Sequence, residues 1–153
     1  MIAKMFRGSS FDSTIRYCHR KSIDGRLLGS SFASEGPDGP DEEAVIREFC
    51  RVSEAKHAER PVVRFSIYIR RSESLSRDQW LQVAERVRSE MGFEDCPWAA
   101  YLLGFDDGRR GEYLHLVLSR VTFDGKIVSD GYRVMKVMRS LERDLGLAPV
   151  GET

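Results

Sequence analysis

Tyr113 and His115 stand two residues apart in the segment GEYLHLVLSRV, Gly111 to Val121. On a strand that spacing aims both side chains at one face. Imidazole is a good ligand for a divalent ion and phenol a poor one. The pair therefore reads in two ways: the remnant of a metal site, or a half-buried histidine whose ring nitrogens find backbone partners. Just upstream, DDGRR sets Asp106 and Asp107 beside two arginines. Carboxylates there either orient a ligand and hold a hydrated Mg²⁺ or belong to a solvated hairpin turn. A third group is Tyr17 in IRYCHRK, among Arg16, His19, Arg20 and Lys21. A phenol with a pKa of about 10 is mostly protonated at neutral pH. As a nucleophile it needs cations or a metal to stabilise the phenolate or the phosphate it attacks; otherwise it is a packing residue.

The elements that must position these groups follow from periodicity. MIAKMF opens the chain as a short apolar segment and reads as a core strand. SSFDSTIRYCHRK offers serine and aspartate caps to a short helix carrying Ile15 and Tyr17. SSFASEGPDGPDEE is loop by composition, long enough to act as a flap. In PDEEAVIREFCRVSEAKHA, Val45, Phe49 and Val52 share one helical face. PVVRFSIYIRR alternates, with Val63, Phe65, Ile67 and Ile69 on one face and Arg64, Ser66, Tyr68 and Arg70 on the other. One face is core and the other presents polar groups.

LSRDQWLQVAERVRSEMGF carries the strongest helix signals. Ser76 and Gln79 fit a capping box, Leu75 and Trp80 a hydrophobic staple, and Gly92 the stop. PWAAYLL and EYLHLVLSRVTF read as strands joined by GFDDGRRG, with an Asp-Gly turn in TFDGKIV. YRVMKVMRSLERDLGL closes as a helix with Val134, Met138, Leu141 and Leu145 inward, ended by Gly146. The order strand, helix, helix, strand, helix, strand, strand, helix predicts an α+β fold, an antiparallel sheet with helices packed on it.

A chain of 153 residues with 41% hydrophobic and 31% charged residues is expected to form one soluble domain, 1–153. It has no apolar run long enough to span a bilayer and no signal-peptide pattern, so the expected compartment is the cytoplasm. Cys18, Cys50 and Cys96 lack ligand spacing and read as structural thiols. Lysine plus arginine and aspartate plus glutamate balance at 24 each. The distribution is uneven: acids concentrate between Glu35 and Glu48, bases between Arg16 and Arg26, which permits an anionic ligand near the N-terminal segment.

In this order and spacing, the segments resemble the relaxase domain of plasmid mobilisation and conjugation proteins, of the MobA type, within the His-hydrophobe-His endonucleases. MIAKMFRGSS is similar to the opening strand, IRYCHRK to the motif with the attacking tyrosine, and VVRFSIYI to the strand after the first helical region. LSRDQWLQVAERVRSEMGF, YLHLVLSRVTFDGKIVSD and RSLERDLGL resemble the next helix, the histidine strand with its Asp-Gly turn, and the closing helix end. The resemblance implies a nickase acting on single-stranded DNA at a transfer origin, with Tyr17 forming a 5′-phosphotyrosyl bond. It implies a divalent cation, Mg²⁺ or Mn²⁺, weakly held at His115 and Asp107. It further implies DNA contacts from Arg16, Arg20, Lys21, Arg64 and Tyr113, other mobilisation proteins as partners, and no membrane association.

Several positions depart from the family pattern. Tyr113 replaces the first histidine of the His-hydrophobe-His pair, and LLGFDD lacks the earlier histidine. Arg64 stands on a strand where relatives often show histidine, and Glu112 is expected to face away from His115. A second expectation therefore stands beside the nickase: a catalytically degenerate relaxase homologue, a DNA- or partner-binding accessory. A third is an unrelated α+β interaction module. Family members usually continue beyond this length, so the chain is either a small stand-alone relative or the N-terminal part of a longer protein.

Overall fold

The computed structural model describes residues 1–32, 41–54, 58–70, 72–104, 111–128 and 134–149, with the side chains of 23–26 outside the description. Strand β1 (Ile2–Gly8) is followed by α1 (Phe11–Lys21), β2 (Ser22–Ser30), α2 (Glu42–Glu54), β3 (Val62–Tyr68) and α3 (Arg77–Glu90). Strands β4 (Trp98–Gly104) and β5 (Glu112–Ser119) and helix α4 (Val134–Leu145) complete the order. The five strands form one antiparallel sheet, β1-β3-β5-β4-β2. The α+β class holds.

Caps and stops set the helix limits. Ser10 caps α1 through the Ser13 amide, and Ser76 and Gln79 form the reciprocal capping box of α3. Gly92 and Gly146, at φ 84 and 69, take the left-handed conformation that ends α3 and α4.

Alternation splits the sheet into two cores. Val63, Phe65, Ile67, Leu114, Leu116 and Leu118 meet Trp80, Val83 and Val87 of α3 and Met138 and Leu141 of α4 on one face. On the other, Val62, Ala99, Tyr101, Leu103 and Val117 lie under Phe11, Ile15 and Cys18 of α1 and Val45 and Phe49 of α2. The Met1 ammonium, fully buried, donates to Glu142 Oε2 at 2.6 Å, and Arg139 donates to Oε1 of the same carboxylate.

Two expectations need correction. MIAKMF is not a core strand: β1 pairs only with β3 at the sheet edge and leaves Met5 and Phe6 exposed. An additional strand, β2, follows α1. Its pairing with β4 shifts register twice, and glycine and aspartate in SIDGRLLGS weaken the strand signal that periodicity reads.

The second face is covered unevenly, and this positions the site. Helix α1 packs over β2, β4 and β5. The continuation of that face across β3 and β1 is open enough to leave Phe6 48% exposed. Pairing aligns side chains across the open part: Lys4 beside Ser66 beside His115, and Phe6 beside Arg64 beside Val117.

Candidate functional site

Where α1 ends its cover, a cleft of about 290 Å³ is lined by Lys4, Met5, Phe6, Tyr17, Arg64, Ser66, Tyr68, Tyr113 and His115. Its floor is the sheet and its wall is Tyr17, half-buried on α1 with its ring edge-on to His115 at 6.2 Å between centroids. Tyr113 meets His115 edge-on at 5.2 Å and stacks on Tyr68 at 5.0 Å. Four residues singled out by the sequence, Tyr17, Arg64, Tyr113 and His115, thus converge from three elements.

His115 is 4% exposed, and its Nδ1 shares a 2.9 Å hydrogen bond with Ser66 Oγ on the neighbouring strand. Burial, and then the charge of Arg64, push its pKa down to about 4, so the ring is neutral at pH 7. Of the two initial readings of His115, the geometry keeps elements of both. The residue is buried and hydrogen-bonded, through a serine rather than the backbone, yet its ring lines the cleft.

Cations frame the cleft. Lys4 Nζ lies 5.8 Å from the Tyr68 ring centroid, the Arg64 guanidinium 4.7 Å from that of Phe6, and the Arg20 guanidinium 5.9 Å from that of Tyr17. Among the described residues, none of these three cations has a carboxylate partner. Arg16 differs. It turns toward α2 and is held by Asp12 at 2.9 Å, Glu43 at 2.8 Å and Glu42 at 3.4 Å. Lys21 ends α1 and does not line the cleft. Asp107 lies outside the described residues.

Burial pushes the Cys18 thiol up to about 12, which leaves it protonated in the core beneath α1. His19 packs edge-on against Tyr101 at 5.0 Å, and burial lowers its pKa. Lys4 and Phe6 were not singled out from the sequence. Their signal was the parity of β1, legible only once its register against β3 is known.

The described donor set does not suit a divalent ion. Among the described residues, one imidazole has a nitrogen engaged by Ser66, a phenol occupies the second position, no carboxylate lines the cleft, and both charged lining groups are cations. Among the described residues no group of three or more histidine, cysteine, aspartate or glutamate side chains comes together.

The antiparallel sheet thus brings a tyrosine, a histidine and two cations without carboxylate partners among the described residues into one cleft. Comparison with protein families matches residues 17–147 to "Relaxase: MobA/VirD2-like, nuclease domain". The chain belongs to that family. No curated protein matches it. No helix among the described residues is long and apolar enough to cross a membrane.

Proposed function

We propose that this chain binds single-stranded DNA in the cleft between Tyr17 and His115 and nicks it by tyrosine transesterification at a transfer origin. The observation that carries this reading is the Tyr17 ring set edge-on to a neutral His115 where the nearby cations lack carboxylate partners among the described residues. Unpaired cations beside a phenol make a phosphate site, and an aromatic-lined open face suits unstacked bases. In the reaction the Tyr17 oxygen attacks the scissile phosphorus. The Oη–P bond forms, the P–O3′ bond breaks, and the phenolic proton is balanced by protonation of the departing 3′ oxygen. The neutral His115 ring, edge-on to Tyr17 at 6.2 Å between centroids, is the group assigned to assist this proton transfer.

A specific observation favours a second reading. Tyr113 stands where the family resemblance leads one to expect a histidine, and the imidazole of His115 is tied to Ser66 and hard to protonate. Both features suit a homologue that holds DNA, or a mobilisation partner, without cutting. A denaturing gel of protein incubated with single-stranded transfer-origin oligonucleotides separates the two. Nicking predicts a covalent adduct lost in Tyr17→Phe with strand binding nearly intact. Strand binding without adduct in the unsubstituted protein refutes nicking and leaves the binding role.

A further inference from the structure

Family members work with a divalent ion, whereas the charged groups lining the cleft among the described residues are two cations, Lys4 and Arg64. Lys4 on β1 shares the cross-strand row of Ser66 and His115, and Arg64 on β3 lies in the next row on the same face. Both line the cleft, and neither has a carboxylate partner among the described residues. Arg64 is close enough to His115 to help hold that imidazole neutral. A positively charged lining repels a dication and attracts a phosphate. A guanidinium also offers paired N–H donors matched to two phosphate oxygens, a geometry that an ammonium lacks.

We infer that in this chain Arg64, supported by Lys4, is the phosphate-binding element of the cleft, and that strand binding there needs no divalent cation. The inference rests on the proposed placement of single-stranded DNA in the cleft. The Arg64 guanidinium lies over the Phe6 ring at 4.7 Å, a contact that restrains it at the cleft, while Phe6 keeps half its surface exposed. Lys4 is a point charge on an exposed edge strand, able to follow the backbone of the bound strand.

The test is fluorescence anisotropy with a labelled single-stranded oligothymidylate, in EDTA or in Mn²⁺ at matched ionic strength, repeated across a series of salt concentrations. The proteins are the full chain and its Lys4→Ala, Arg64→Ala and Arg64→Lys variants, each checked for folding by circular dichroism. Affinity in EDTA should match that in Mn²⁺ within about twofold. Each alanine substitution should reduce the salt slope by about 0.7, the contribution of one phosphate contact on a single strand. Arg64→Lys should restore the slope but not the full affinity, because charge returns without the bidentate geometry. If Arg64→Ala does not fold, Lys4→Ala and the EDTA comparison still decide. Binding that requires Mn²⁺, or a salt slope unchanged by Lys4→Ala and Arg64→Ala, overturns the inference while leaving strand binding itself standing. No binding to the oligothymidylate in any condition overturns the underlying placement as well.

Discussion

Acidification should destabilise this protein through His115, by an amount that follows from its surroundings. The folded ring, buried and close to Arg64, has a pKa lowered to about 4, against about 6.5 for an unfolded histidine. Between those values the unfolded chain binds a proton that the folded chain refuses, so stability rises with pH across that window and falls as pH drops. The full difference is worth about 3 kcal/mol, present above pH 6.5 and lost by about pH 4. Urea unfolding of the parent chain and of His115→Gln, from pH 7 down to pH 4, isolates the contribution from that of the carboxylates common to both. His115→Gln should be less stable or similar at pH 7 but lose about 3 kcal/mol less on acidification. Equal losses in the two proteins would mean that His115 titrates normally and that the cleft does not hold it neutral.

Removing one partner of the buried ion pair at the Met1 ammonium should be costly: Glu142→Gln is expected to lose about 3–5 kcal/mol in chemical denaturation, because a buried cation loses its counter-charge. Gly29→Ala should cost about 1–3 kcal/mol, read as a lower Tm, since the added Cβ would sit 2.8 Å from Leu81 Cδ2 and 3.1 Å from Trp98 Cη2.

Local signals read well from the sequence because they are local. The Ser76–Gln79 box, the glycine stops at 92 and 146, and the alternation of Val63, Phe65 and Ile67 each depend on residues within a few positions. Tyr17 and His115 were identifiable by chemistry, and the alternation of β5 already placed Tyr113 beside His115. What was hidden depends on pairing over long separations. The face of β5 that carries Tyr113 and His115 is buried at Val117, which joins the core under α1 and α2. Lys4 enters the cleft only because β1 pairs with β3 in a register that sets Lys4 opposite Ser66. Arg16 shows the converse. It lies in sequence beside His19, Arg20 and Lys21, yet it is held by Asp12 of its own helix and by the acids that open α2.

The central claim is that a single strand of DNA occupies the Tyr17–His115 cleft, and chemical-shift mapping by NMR tests it most directly. On titration with a single-stranded oligonucleotide at low salt, the largest perturbations should fall on Lys4, Phe6, Arg64, Tyr68, Tyr113 and the His115 ring, all lining the cleft. The α3–α4 face of the sheet, sealed by Trp80 and Met138, should remain unchanged. Perturbations centred on α3 and α4, or none in the cleft at saturating strand, would contradict the account.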